Sequence, residues 1–300
     1  MSKIAIIGEI RGKVTGSGYR ELNHNMRTVA DVWTAYTGTA IASAKQLAAK
    51  GEDVVLVSAV GDDFIGKATK LDMMEKGMNT EFLKVVEGKA TAMELELLNI
   101  IGDLDYLVSG IEVNKYIDTE LLERALDTIN GCDLVVVDAS LTEEALHYIV
   151  ENVTAPKFLD PGNEEDALKV KEIIGKFDII KPNRAEAAVL YGKDIFSEEE
   201  IKAAMEHFAQ QGVKQIYVTV SGGGVYFKEG EKEDVIRPEK VEAFVRKEGA
   251  GDAFSAAIAD GTVKGMTIEE VAAYGMKEAA EVIKNKVSYD VNDLLWGDPQ

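Results

Sequence analysis

The chain carries one cysteine, Cys132, in 300 residues. A single thiol excludes an internal disulfide framework and a multi-cysteine zinc site. The three histidines, His24, His147 and His207, are too scattered to suggest a metal cluster. No apolar run is long enough for a membrane span. The start, Met1-Ser2-Lys3, leads straight into a buried-strand pattern rather than a signal peptide. Positive charge is also short: 33 Lys and Arg stand against 53 Asp and Glu, a net charge of −20. That balance argues against general nucleic-acid binding, which relies on cations neutralising phosphates. It does not exclude a local basic pocket, because bulk charge says nothing about one cleft. These absences predict a cytoplasmic protein in a reducing setting, with neither membrane nor nucleic acid as partner.

Core-forming residues are plentiful. Hydrophobic residues make up 46% and charged residues 29%, a balance that supports a large α/β domain and argues against disorder. Ile4-Ala5-Ile6-Ile7, ended by Gly8, reads as a central parallel strand. Helical and strand patterns then alternate: helix over 40–50, strand over 54–57, helix over 64–76. The alternation resumes with helix 121–129, strand 134–137, a helix from Thr142, strand 157–159, helix 167–174 and strand 178–180. A helix from Ser197, strand 215–220, a turn into Val225-Tyr226-Phe227 and two closing helices complete it. The pattern predicts an α/β fold with a doubly wound, mostly parallel sheet and helices on both faces. Two stretches stand apart. Residues 12–26 are polar and glycine-rich, followed by alternation over 28–34, and over 91–99 Met93, Leu95 and Leu97 alternate with Glu94 and Glu96. They predict a small β lid, inserted at about 12–36 and 90–100 in one domain of residues 1–300.

Ligands bind such sheets at the C-terminal ends of the strands. Asp160, Asn183, the turn at Gly222 and Gly249 all follow strands, so all are expected at that edge. The most informative run is Gly249-Ala250-Gly251-Asp252-Ala253-Phe254, after a strand-like Val241–Val245 and before a small-residue helix. Glycines at a helix start let backbone approach a ligand, and the free N–H groups form an anion site. A carboxylate in that first turn is stabilised by the helix dipole. An anion cradle beside a fixed carboxylate is what phosphoryl transfer to a hydroxyl needs. The plainer reading of the same run is a glycine-rich helix start with a capping aspartate.

This run resembles the anion-hole and base signature of ribokinase-like (PfkB-type) carbohydrate kinases. Three further segments match in order: Val60-Gly61-Asp62-Asp63-Phe64-Ile65-Gly66, then Asn183-Arg184-Ala185-Glu186, then Thr219-Val220-Ser221-Gly222-Gly223-Gly224-Val225. Within the family, the middle of the chain is most similar to pseudouridine kinases and related sugar kinases, through Val137 to Leu146, Phe158 to Pro161 and Lys181 to Ala187. The resemblance implies ATP and Mg²⁺ as cofactors and a small sugar or nucleoside as acceptor. It implies Asp252 as general base and Gly249, Ala250 and Gly251 as the anion hole. Asn183 and Glu186 would hold Mg²⁺ mostly through water; as residues alone they also read as an ordinary helix start. Thr219, Ser221, Gly222 and Gly224 would contact the nucleotide, with Lys247 reaching a phosphate. Lys181 and Arg184 either add phosphate charge or are simply solvated. Similar kinases often dimerise through their lids, so a homodimer is expected.

The substrate set departs from the family pattern. Lys13, flanked by Arg11, stands where the family usually has an aspartate for sugar hydroxyls. Of the usual Gly-Gly pair and asparagine, the chain has Thr37-Gly38 and Ala42. Lys13, Gly38 and Ala42 therefore mark the expected substrate position, and the added cations suggest an unusual, anionic acceptor. The alternative from another class is a catalytically silent binding protein on the same fold. A dinucleotide-dependent oxidoreductase is disfavoured, because Gly8-Glu9-Ile10-Arg11-Gly12 is no Gly-x-Gly-x-x-Gly.

Overall fold

The computed structural model describes residues 1–18, 21, 25–238 and 249–284. In the first strand, β1 (Lys3–Ile7), Ala5 and Ile7 face one core while Ile4 and Ile6 face the other. A strand apolar on both sides requires helices over both faces. The chain leaves the main sheet for β2 (Arg11–Gly18) and β3 (Ala30–Thr37), then returns through α1 (Thr39–Ala49) to β4 (Asp53–Gly61). Next come α2 (Phe64–Glu75), β5 (Leu83–Val86), β6 (Ala92–Leu98) and β7 (Leu104–Gly110). Alternation follows: α3 (Thr119–Asn130), β8 (Leu134–Asp138), α4 (Glu143–Asn152), β9 (Lys157–Asp160), α5 (Glu164–Val170), β10 (Ile179–Ile180) and α6 (Arg184–Tyr191). After α7 (Glu198–Gln211), the strands β11 (Gln215–Val220), β12 (Gly224–Glu229) and β13 (Lys232–Ile236) form an antiparallel edge, and α8 (Ala250–Val263) and α9 (Ile268–Lys284) close the described chain.

The main sheet has nine strands in the order β13-β12-β11-β10-β9-β8-β1-β4-β5. All neighbours from β11 to β5 pair parallel. Helices α3 to α7 cover one face, with Leu121, Leu146, Leu190 and Phe208 in its core; α1, α8 and α9 cover the other, with Ile41, Leu47, Phe254 and Val271. From β1 the chain runs outward to β4 and β5 on one side, and later to β8 and beyond on the other. The topological switch point therefore lies between β1 and β8, where a crevice opens at the strand ends.

A second sheet has the order β3-β2-β6-β7. The sequence suggested that the 91–99 strand would complete a sheet with the region of Thr28; the structure puts β2 between them, antiparallel to β3 and parallel to β6. β7 went unread because every residue in it is exposed, so it has no buried face to imprint alternation. The helix expected over 167–174 is instead α5, capped by Asn163, followed by a 3₁₀ turn over Lys171–Lys176.

The Val60–Gly66 segment is a clasp between the two sheets. Asp63 caps α2 by accepting from the Gly66 N–H at 2.8 Å, and it also accepts from the Thr91 N–H at 2.7 Å. The Gly61 N–H donates to Thr91 Oγ1 at 3.0 Å. A Cβ on Gly66 would lie 2.1 Å from the Gly61 carbonyl oxygen, so only glycine fits this crossing. The clasp ties α2 to the start of β6, and with it the second sheet to the first.

Candidate active site

Gly249 starts α8 in the left-handed region, φ 83°, where a side chain would be strained. No side chain caps this helix among the described residues. Gly249 carries no side chain to cap the first-turn N–H groups of α8, and a helix start of this kind is where an anion is taken up. Asp252 lies in the same turn.

Behind the turn stands a buried ion pair. Lys181 Nζ lies 2.9 Å from Asp160 Oδ2, and both residues are buried. A Cβ on Gly251 would come within 3.8 Å of Lys181 Nζ, so the ammonium borders the glycine turn. Ser255, one turn into α8, donates to Asp160 and fastens the helix to the end of β9. Burial alone would lower the Lys181 pKa, but the charges of Asp160, Glu186 and Asp252 outweigh it and raise it above the ordinary value. Lys181 is thus not the solvated lysine its sequence position allowed. Arg184 is exposed.

Asn183 and Glu186 meet at the start of α6. The helix starts at Arg184, Asn183 is its N-cap, and the two close a capping box. Asn183 Oδ1 accepts from the N–H groups of Ala185 at 2.8 Å and Glu186 at 3.0 Å. Glu186 Oε2 accepts from the Asn183 N–H at 2.8 Å, and Oε1 accepts from the Asn183 amide. Burial pushes the Glu186 carboxyl up to about 7.

That shift has a measurable consequence. The ordinary value is 4.5 and the folded value about 7, so between them the folded state holds the extra proton. Stability therefore falls as pH rises through this window, by about 3 kcal/mol in all, and the loss is complete above pH 7. Glu186→Gln keeps an acceptor for the Asn183 N–H and removes the titration. Urea unfolding at about pH 5 and about pH 8 should show a flatter pH dependence in the variant than in the parent. Equal slopes would mean that Glu186 does not titrate there.

The Thr219 N–H donates to the Pro182 carbonyl at 3.0 Å, which sets the end of β11 beside the capping box. Gly222 and Gly224 have φ of 71° and 94° in the turn that follows. Gly224 is demanded by the hairpin itself, since a Cβ there would fall 2.0 Å from the Ile236 carbonyl oxygen. Lys247, with Arg246, Glu248 and the Val241–Val245 stretch, lies outside the described residues.

The expected substrate set is rearranged. Gly38 begins α1 with φ 108°, and a Cβ there would sit 2.8 Å from the Glu9 carbonyl oxygen. Ala42 is half-buried in the first turn of α1. Lys13 is buried on β2 and pairs with Glu96 at 3.1 Å. Arg11 pairs with Glu9 at 2.7 Å and with Glu94. Both cations are thus matched by carboxylates within the chain, which removes the argument for an anionic acceptor. Three buried polar residues went unread: Glu9 just past β1, Asn114 in the turn before α3, and Asp138 at the end of β8. A signal existed for Asp138. Val136-Val137-Asp138 has the same strand-then-acid form as Phe158-Leu159-Asp160, and the two aspartates are in register on adjacent strands.

The edge therefore joins a glycine-led helix start, a buried ammonium and several carboxylates. Among the described residues no group of three metal-ligating side chains is placed to chelate an ion directly. The description of the pfkB family carbohydrate kinases matches residues 1–293.

The chain belongs to the pfkB family of carbohydrate kinases.

The pseudouridine kinase of Escherichia coli K12 is 28% identical over 268 residues, covering 89% of this chain and 86% of that protein. The guanosine-inosine kinase of Exiguobacterium acetylicum is 26% identical, covering 98% and 99%. Among solved structures, Arabidopsis thaliana ribokinase complexed with ribose and ATP superposes with a TM-score of 0.85 at 21% identity, covering 96% and 94%. This pfkB member is thus an enzyme of the carbohydrate and nucleoside kinase type, on the ribokinase fold. No helix among its described residues is long and apolar enough to cross a membrane.

Proposed function

We propose that this kinase transfers the terminal phosphoryl group of ATP to a hydroxymethyl group of a sugar or nucleoside. The observation that carries the reading is the glycine start of α8, opened by left-handed Gly249 and bordered by the buried Lys181. Asp252 orients the acceptor hydroxyl and takes its proton late, as a loose transition state allows. The N–H groups of Ala250, Gly251 and Asp252 stabilise charge on the moving phosphoryl group. Thr219 and the Ser221–Gly224 turn contact the nucleotide.

The residues fit Mg²⁺ held through water and phosphate oxygens. The cluster sets the carboxylates of Asp160, Glu186 and Asp252 against one ammonium, and burial keeps the Glu186 carboxyl poorly compensated. When bound, Mg²⁺ supplies charge neutralisation for the phosphates. Asn183 and Glu186 reach it through water, since their direct hydrogen bonds are spent on each other.

The second sheet serves as the lid over the acceptor. Its outer strand exposes Leu104, Tyr106, Leu107 and Val108. A contiguous apolar edge of this kind calls for cover, and a second copy of the chain provides it. Sedimentation should give twice the chain mass, and Val108→Glu should shift it toward the monomer. A monomeric parent protein overturns the dimer.

ATP turnover with Mg²⁺ across sugars, sugar phosphates and nucleosides, pseudouridine included, tests the reaction. Transfer to one acceptor supports it. Nucleotide binding with no transfer to any acceptor supports the silent binder, the reading favoured by Lys13 and Ala42 in the substrate positions.

A further inference from the structure

Two contacts between the second sheet and the main body differ in kind. At the Val60–Gly66 clasp, Asp63 accepts from the Gly66 and Thr91 N–H groups and from the Thr91 hydroxyl. At the end of β3 the contact is made by Tyr36, which packs against the core that α1 and α8 cover. Directly opposite Tyr36 on β2 is Gly12, so no side chain across the ladder holds the ring within its own sheet. The ring instead lies beneath Lys45 Nζ of α1, 5.0 Å from its centroid. Lys45 Nζ stands 3.0 Å from Asp72 Oδ2 of α2, and Lys76 donates to the other oxygen of Asp72. The contact thus gathers β3, α1 and α2.

Two oxygens there lack a hydrogen bond. One is Thr69 Oγ1, which is fully buried; the other is Asp72 Oδ2, which faces Lys45 as an ion pair but not in hydrogen-bond geometry. Buried polar atoms in native proteins are rarely left so, and each such atom marks a missing partner. Thr69 and Asp72 both lie near enough to act on the Tyr36 phenol. A phenol suits this pair: its O–H donates to the carboxylate oxygen, and its oxygen accepts from the threonine hydroxyl. Burial raises the Tyr36 pKa above its ordinary value, so the donor proton is retained.

The backbone beside Tyr36 is built as a pivot. Gly38 has φ 108°, and a Cβ there would lie 2.8 Å from the Glu9 carbonyl oxygen. The passage into β2 and the passage out of β3 therefore cross at Gly38. Rotation about that crossing moves Tyr36, two residues away, through a short arc and the far end of the sheet through a long one.

We propose that Tyr36 is the latch of the lid: as β3 swings inward, its hydroxyl engages Asp72 and Thr69, and this bond fixes the closed angle of the sheet. The inference rests on the reading of the second sheet as a lid over the acceptor. Tyr36, Thr69 and Asp72 are positioning residues that act on the acceptor through β3 and Gly38. Lys45 holds the ring from its other side before and after the swing. A bond made only on closure adds to the affinity for whatever the lid covers. Its loss leaves the chain without nucleotide or acceptor as stable as before.

Calorimetric titration of the full chain with pseudouridine, inosine and ribose, each with ADP present, tests the latch. Tyr36→Phe keeps the ring under Lys45 and removes the hydroxyl. Whichever probe the parent binds should bind the variant about tenfold more weakly, the worth of one hydrogen bond to a charged group. The urea midpoint without nucleotide or probe should not move. In turnover KM should rise by about tenfold while kcat stays within about twofold, a split that a general loss of packing would not produce. Thr69→Val should also weaken binding, and the double variant should bind no more weakly than Tyr36→Phe alone, because both changes delete one contact. If Thr69→Val does not fold, the comparison of Tyr36→Phe with the parent decides alone. Parental affinity in Tyr36→Phe, a urea midpoint that falls with the affinity, or independent losses in the double variant would each overturn the latch and leave the kinase reading standing. A parent protein that binds none of the three probes removes the acceptor reading itself, and the latch falls with it.

Discussion

Asp252→Asn should lower phosphoryl transfer by about 10²–10⁴-fold, the range found for losing a general base. Nucleotide affinity should stay within a few-fold of the parent. The reason lies in where Asp252 sits. It lies in the first turn of α8 beside the N–H groups that the glycine start presents, and those groups belong to the backbone. Asparagine keeps the side-chain size and leaves every N–H in place, so the anion site persists while the proton acceptor is lost. Initial rates with saturating ATP, together with ADP binding by calorimetry, separate the two effects. A variant that keeps more than about a tenth of the parent kcat would remove Asp252 from the role of base. A variant that loses nucleotide binding as well would show that the carboxylate holds the turn rather than the proton.

Lys181→Met should destabilise the fold by about 3–5 kcal/mol. Lys181 is 7% exposed and Asp160 3% exposed, so the pair has little water to fall back on. Removing the ammonium leaves Asp160 buried without its cation, with the Glu186 carboxyl close enough to repel it. The pair itself is not necessarily a net stabiliser, since two charges must be desolvated to form it. The prediction therefore has a second arm. Asp160→Asn in the Lys181→Met background keeps one acceptor oxygen for the Gly162 N–H, turns the other position into an amide donor toward the Ser255 hydroxyl, and removes the stranded charge. It should recover a substantial part of the loss. Urea denaturation of the parent, the single and the double variant checks this. A single variant as stable as the parent, or a double variant no better than the single, would show that charge compensation is not what Lys181 provides.

Much of the fold could be read because burial leaves a period in the sequence. β1 is apolar on both faces and appears as an unbroken run, Ile4-Ala5-Ile6-Ile7. The amphipathic helices α3 and α7 show their stripes, and Ser197 and Asn183 announce helix starts with glutamate three residues on. Elements without a buried face left no such trace. β7 is exposed throughout, and β13 is short and mostly polar. Both are edge strands defined by backbone pairing, which any side chain permits.

The site divides along the same line. Gly249 through Asp252 was legible because a left-handed helix start with close backbone approach admits almost nothing but glycine. Asp160 was legible as an acid at a strand end. Glu9 and Asn114 were not, for they are 105 positions apart in the chain and acquire meaning only when β1 and the turn before α3 come together. Lys13 and Arg11 were read as cations facing a ligand, because their carboxylate partners Glu96 and Glu94 come from another strand. The pairing register of β2 with β6 decides that, and nothing local to residues 11–13 encodes it.

The sequence by itself determined the layered α/β class, the strand-end position of the candidate residues and the glycine-led helix start at Gly249. Each follows from local backbone preference or from the period of buried side chains, and both act over a few residues. The tertiary structure alone decided which charges meet: Lys181 with Asp160, Arg11 with Glu9 and Glu94, and Asp138 left with an unsatisfied oxygen. Electrostatic partners and desolvation depend on distance and burial in space, and the chain sets neither until it has folded.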